Sequence, residues 1–306
     1  MLQFVELIIK NKNIYRLEKI MKIAIMTDTN SGITQQIADE LGIFVISMPV
    51  ILENETYYEG QNITTEKFYQ LLPNVSSFST SQPSPGNVLD MWEKILSSGY
   101  DEIVYIPMSS ALSNSCETAI SLAQDFDGKV QVADNHRVSV TLYQSVITAK
   151  KLADEGKSAI EIKQYLEKTA YESSIYLAVD TLDYLKKGGR ITPAAAMLGS
   201  VLNIKPVLSI LGEKINPYSK VRGMKKAQKC MIEALQNDIT TRLPNEDIDN
   251  LKIGCAGANL SQIEIEYWTN LVKETFPTAT IYYHELSASI ACHTGPGAIG
   301  IGICFC

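Results

Sequence analysis

The stretch from Lys22 to Ile51 constrains this chain most. A short apolar run, residues 22–28, ends in Thr27-Asp28-Thr29-Asn30-Ser31-Gly32. A helical pattern over residues 33–41 follows, and then at once a second apolar strand over residues 44–51. Strand, polar turn, helix, strand is the order of an α/β domain with a parallel sheet, because two parallel strands need a crossover between them.

The pattern continues in the same sense. Thr64 or Thr65 caps a helix through Phe68, Leu71 and Leu72. Residues 102–107 and 130–134 read as strands, with helices over 88–96, 115–124 and 138–153. Asn114 with Glu117 three residues on matches a capping box. The pattern shifts between residues 156 and 169, and beyond it strands and helices no longer alternate regularly. Helices are expected over 160–171, 194–202, 225–235 and 263–276. Strands are expected over 175–179, 251–256, 280–284 and 298–303, with a hairpin from 204 to about Ile215 turning at Gly212. The expected division is an extension over residues 1–21, an α/β domain over 22–165 and an α+β domain over 166–306. Met21-Lys22-Ile23-Ala24-Ile25 reads as a natural start, and the segment before it as an extension from an upstream start codon.

Composition excludes several function classes. The 306 residues carry a formal net charge of -7, against the basic face of a general nucleic-acid binder. No apolar run approaches the roughly 20 residues of a membrane span. The six cysteines, Cys116, Cys230, Cys255, Cys292, Cys304 and Cys306, are scattered without C-x-x-C pairs, which points to reduced cytosolic thiols rather than a zinc site or a disulfide framework. No carboxylates cluster with histidine at metal-ligand spacing, so no metal or cofactor is expected.

Chemistry concentrates in four places. Phe78-Ser79-Thr80-Ser81-Gln82-Pro83-Ser84-Pro85-Gly86 is a polar, uncharged, hydroxyl-rich run leading into a helix. Ser84 and Pro85 read as N-cap and first helical residue. The run is either a well-capped loop or a seat for a carboxylate or phosphate at a helix N-terminus. Ser109–Ser115 falls at a strand end, where open α/β sheets gather ligands, and Ser113 there is most simply a cap. Lys186-Lys187-Gly188-Gly189-Arg190 is a basic glycine turn, either solvated or a contact for an anionic partner. His293, before Gly295-Pro296-Gly297, can donate to an anion or satisfy the backbone of a glycine loop; His136 and His284 read as local structure. Residues 295–300 match G-x-G-x-x-G, but a strand rather than a helix follows, so a nucleotide role is rejected.

In order along the chain, Ile25-Met26-Thr27-Asp28-Thr29, Thr80-Ser81-Gln82-Pro83-Ser84-Pro85-Gly86, Ser109-Ser110-Ala111-Leu112-Ser113-Asn114, Lys187-Gly188-Gly189-Arg190-Ile191 and His293-Thr294-Gly295-Pro296-Gly297 resemble the DegV family of bacterial fatty-acid-binding proteins. The resemblance runs from about Lys22 to Gly302. It implies an α/β and an α+β domain with a long-chain fatty acid between them. It further implies a cytoplasmic carrier rather than a catalyst, presenting the acyl carboxylate to a separate ATP-dependent fatty acid kinase that feeds phospholipid synthesis, with transient exchange at membranes. By position, Thr80, Ser81 and Ser113 would hold the carboxylate with backbone N–H groups near Ser113 and Asn114, His293 would lie beside it, and Arg190 would face the kinase. Family members usually carry glycine where this chain has Asn114. The competing expectation is a serine-dependent hydrolase or acyltransferase with Ser113 or Ser81 as nucleophile and His293 as base. A third is a regulatory module for a non-lipid anion.

Overall fold

A computed structural model describes residues 21–197, 203–243 and 251–305. The expected extension, apart from Met21, and the second half of the helix expected over 194–202 lie outside the described residues. Strand β1 (Ile23–Asp28) is buried throughout and leads through a single 3-10 turn into α1 (Gln35–Leu41), whose cap Thr34 accepts from the Ile37 N–H. β2 (Phe44–Ile46) returns parallel to β1.

The strand expected over 44–51 is two strands in two sheets. β3 (Pro49–Leu52) leaves the parallel sheet and pairs antiparallel with β4 (Glu55–Tyr58) and, after α2 (Thr65–Leu71), with β5 (Phe78–Thr80). The cause is local: Pro49 has no N–H to give a ladder, and the Met48 N–H donates to Thr29 Oγ1 instead. The hydroxyl-rich run is therefore partly strand, with Thr80 paired opposite Val50. Ser84 then caps α3 (Pro85–Ser97) as expected, accepting from the Asn87 N–H.

β6 (Glu102–Ile106), α4 (Ser115–Ala123) and β7 (Val130–Val132) complete a four-stranded parallel sheet ordered β2-β1-β6-β7. The expected capping box at Asn114 is not formed. Asn114 has helical backbone angles (φ -73, ψ -1) and makes no side-chain cap, so its amide cannot swing over the first turn; Ser113 Oγ accepts from the Ser115 N–H instead. Next comes α5 (Ser139–Asp154), which packs on β1 on one side and on the sheet of the second half on the other. Its buried positions accordingly run round the helix rather than along one stripe.

α6 (Ala159–Lys168) precedes β8 (Ser173–Ala178). The chain changes sheet between β7 and β8, and the division expected at 165/166 falls inside α6, which lies between them. α7 (Asp183–Gly188), α8 (Pro193–Ala196), the hairpin β9 (Ile204–Ile210) and β10 (Asn216–Arg222), α9 (Met224–Thr241), β11 (Lys252–Gly257), α10 (Gln262–Thr275), β12 (Thr280–Glu285), α11 (Ala288–Thr294) and β13 (Ile299–Cys304) follow. The six strands form one mixed sheet ordered β10-β9-β8-β13-β11-β12. A strand follows Gly297, as expected.

Two sequence expectations change here. Lys186 and Lys187 are not in a turn but in the last turn of α7, where cations oppose the helix dipole. His293 is not in a glycine loop but in the last turn of α11, a helix capped by Ser287. Among the described residues no helix is long and apolar enough to cross a membrane.

Candidate functional site

Between the two larger sheets lies a cavity lined by residues of both halves of the chain. Aliphatic side chains from α5, β8, β9 and α11 form most of its wall, among them Val140, Ile175, Leu177, Ile210 and Ile290. Six of its residues, Thr80, Ser81, Gln82, Leu112, Ser113 and Arg190, also line a shallow surface recess with Asn114, Gly189 and Lys214. The cavity therefore meets solvent at a rim of hydroxyls, an amide and two cations, and turns apolar inward.

At that rim Thr80 makes a contact across 213 residues with a residue that lines the cavity but not the recess: Thr80 Oγ1 lies 2.8 Å from His293 Nε2. β5 delivers Thr80 as the last residue of an edge strand, and the Ser81 N–H continues the pairing onto Pro49 O. The last turn of α11 delivers His293. Its Nδ1 is buried and has no hydrogen-bond partner. A buried N–H without an acceptor costs more than a buried lone pair without a donor, so we assign the proton to Nε2. The imidazole then donates to Thr80 Oγ1, and the threonine hydroxyl keeps its own proton for a ligand oxygen. Burial, and after it the nearby Arg190 guanidinium, hold the His293 pKa down at about 4, so the ring is neutral near pH 7.

The remaining candidates fall into place unequally. Ser113 lines the cavity; its Oγ accepts from the Ser115 N–H, which leaves the hydroxyl proton to donate. Its backbone N–H is already committed to Ser109 O and is not an anion donor. Ser81 is exposed and donates its proton to Gln82 O. Asn114 is exposed, lines only the outer recess and has a right-handed backbone, so the seat needs no left-handed residue there. Arg190 is half-buried: its Nε donates to Leu112 O at 3.4 Å and its Nη1 to Gly188 O. It is thus a half-buried rim cation braced on two carbonyls.

Three contributors escaped the sequence. Gln82 lines the rim and accepts from Thr118 Oγ1. Lys214 enters through the β9–β10 turn. α11, which carries His293, went unseen although Ser287 ahead of Ala288, Ile290 and Ala291 is a capping signal. His136 and His284 stand apart from the rim; His136 stacks on Tyr171 and His284 lies edge-on to Tyr143. For the hydrolase expectation, His293 pairs with Thr80 rather than with either serine, and no carboxylate orients its Nδ1. Among the described residues no group of three or more potential ligands could hold a metal ion.

The DegV family model matches residues 22–305. A DegV domain-containing protein of Deinococcus radiodurans is 30% identical over 290 residues, covering 92% of this chain and 98% of that protein. Among solved structures, a DegV family protein from Thermus thermophilus described for its fatty acid binding superposes with a TM-score of 0.82 at 29% identity, covering 94% of this chain and 100% of that one. DegV of Bacillus subtilis, described as a fatty acid binding protein, does so with 0.81 at 28% identity and the same coverage.

Proposed function

The chain belongs to the DegV family, and from that premise we propose that it carries a long-chain fatty acid in the cavity between its sheets, with the carboxylate at the rim. The observation that carries the reading is the Thr80–His293 pair at the mouth of an otherwise aliphatic cavity. A carboxylate taken from water needs replacement donors. The Thr80 and Ser113 hydroxyls keep a proton to give at the rim, and Arg190 supplies opposite charge. An acyl tail gains about 0.8 kcal/mol per buried CH₂, so an aliphatic wall favours a long chain over a short acid.

The carboxylate sits where the cavity meets solvent, which suits a carrier whose cargo is modified while bound. On this reading a separate ATP-dependent fatty acid kinase reaches the rim and phosphorylates the carboxylate, with Arg190 and Lys214 facing the incoming partner. Thr80, Ser113 and His293 hold the acid and do no covalent chemistry. Ser81 and Asn114 stay in the proposal as outer-rim residues only, since Ser81 has given its proton to Gln82 and Asn114 faces the recess.

The direct test is to denature the purified protein, extract it and analyse the extract by mass spectrometry. A long-chain acid at near-equimolar amount is the expected result. An extract without fatty acid, from protein whose melting temperature palmitate or oleate leaves unmoved, would sink the carrier reading. A serine-reactive probe that labels Ser113 or Ser81 stoichiometrically would move it to the hydrolase.

A further inference from the structure

β13 reads Ile299-Gly300-Ile301-Gly302-Ile303, and the alternation divides its two faces. The three isoleucines pack into the core that contains Trp268 and Leu235. The face toward α5 is left to glycine, and Gly300, with its neighbours Ile299 and Ile301, borders the cavity. Register places Gly300 between Leu177 of β8 and Ala256 of β11, and Gly302 between Ile175 and Gly254. The sheet therefore offers the cavity two successive rows, and the rows differ in what lies above them.

Over the second row the space is taken. A Cβ on Gly254 would lie 2.3 Å from Val140 Cβ, and one on Gly302 would lie 3.0 Å from Val140 Cγ2. Val140, in the first turn of α5, is seated in a hollow that two glycines leave, and Tyr282 Oη donates to its carbonyl at 2.9 Å. Over the first row no atom of α5 comes that near. The nearest atoms to a Cβ on Gly300 are Tyr176 O at 3.5 Å and the Ala256 and Leu177 Cβ atoms at 3.9 Å, all from the sheet itself. What lies above Gly300 is the cavity, and Gly300 is not among the residues shared with the surface recess.

We propose that Gly300 and Val140 set how long a tail the cavity accepts: Gly300 is the bare floor under the inner tail, and Val140 is the stop at its end. The inference rests on the fatty-acid reading and names the dimension of the ligand that this chain selects. A side chain at Gly300 takes space from the inner tail and not from the head group, so its effect must grow with chain length. Shortening Val140 opens the hollow over Gly254 and Gly302, so its effect must favour longer acids.

The test is a titration of delipidated protein with laurate, myristate, palmitate, stearate and arachidate, by displacement of a fluorescent acid. Gly300→Val is expected to weaken stearate roughly tenfold, the loss of about two methylenes of burial, while laurate changes by less than about twofold. Gly300→Ala should give a smaller loss with the same dependence on length. Val140→Ala should raise arachidate relative to palmitate by roughly threefold, about one methylene's worth. Where Gly300→Val does not fold, the other two variants decide. Equal loss for every acid, or an unaltered length profile in Gly300→Ala and Val140→Ala, overturns the assignment while leaving the carrier reading intact. A wild-type protein that takes up none of the acids overturns the carrier reading, and this inference with it.

Discussion

Gly188 leaves room for the imidazole of His293: a Cβ at Gly188 would lie 2.0 Å from His293 Nδ1 and 2.7 Å from Cε1. The two glycines of Lys187-Gly188-Gly189-Arg190 thus serve different ends. Gly188 admits the ring that meets Thr80. Gly189, with φ +66, turns the chain out of α7 and has nothing within 4 Å of its missing Cβ.

The neighbouring glycines are therefore expected to separate on mutation. Gly188→Ala should displace the imidazole and cut fatty-acid affinity, because the Thr80 contact cannot survive a ring shift. Gly189→Ala should cost about 1 kcal/mol of stability for its left-handed backbone and leave affinity nearly intact. Urea unfolding and acid titration of both variants check this. Equal behaviour of the two would refute the division of roles.

Thr80→Val keeps the shape and removes the hydroxyl between His293 and the ligand. A lost bond to a charged partner costs roughly 1.5–3 kcal/mol, or about ten- to a hundredfold in Kd. Thr80→Ser should recover most of the affinity. Isothermal titration with palmitate is the measurement, and a Val variant that binds like wild type would remove Thr80 from the site.

Acid should destabilise the ligand-free protein through its buried histidines. Burial lowers His284 and His293 from an ordinary value near 6.5 to about 4. Between those values the unfolded chain binds protons that the native rings refuse, so stability falls as pH drops through about 6.5 toward 4. Asp28 acts with the opposite sign: burial raises it from 3.8 to about 6, against the N–H bonds from Met108 and Asn30 that lower it. It therefore keeps a native proton that the unfolded carboxyl has lost. Burial raises Glu59 in the same sense as Asp28, so the histidine share of the slope is loss of stability on acidification and the carboxyl share opposes it. The urea midpoint at a pH near 4.5, relative to that at neutral pH, should be higher in a His284→Gln, His293→Gln double variant than in wild type. An unchanged difference would show that other groups set the slope.

Helix caps offer a test independent of any ligand. Ser84→Ala removes an observed cap and should cost about 1 kcal/mol. Asn114→Ala removes a side chain with no cap bond and should cost close to nothing. Thermal denaturation distinguishes them, and a costly Asn114→Ala would mean that the amide acts elsewhere.

Arg190→Ala should lower acyl-phosphate formation by roughly tenfold or more in an assay reconstituted with a fatty acid kinase, with most of the bound acid retained, if the guanidinium serves the partner across the rim. Loss of bound acid in parallel would assign Arg190 to the carboxylate instead.

Most elements of the fold were legible because local pattern sufficed for them. The apolar run of β1, the caps Thr64 and Ser84, and the helices over α3, α5 and α10 all follow from periodicity and capping residues within a few positions of each other. Reading failed where a single side-chain hydrogen bond or a very short element decided. Residues 44–51 form one apolar run, but Thr29 takes the Met48 N–H and divides it between two sheets. Asn114 and Glu117 have capping-box spacing, but Ser113 takes the cap. His293 looked like part of a glycine loop because the helix beneath it is only seven residues long.

The sequence by itself determined the α/β class, the order of most elements and which hydroxyls, glycines and basic residues stand at their ends. It also carried the DegV resemblance, because those motifs are short and local. Only the tertiary structure decided which of those ends meet. Thr80 and His293 are 213 residues apart, and neither carries a local signal of the other. They come together because an antiparallel strand pair places one and a short helix after the last crossover places the other. The cavity behind them is likewise a property of packing: it exists where Gly300 leaves space above the sheet and ends where Val140 fills it.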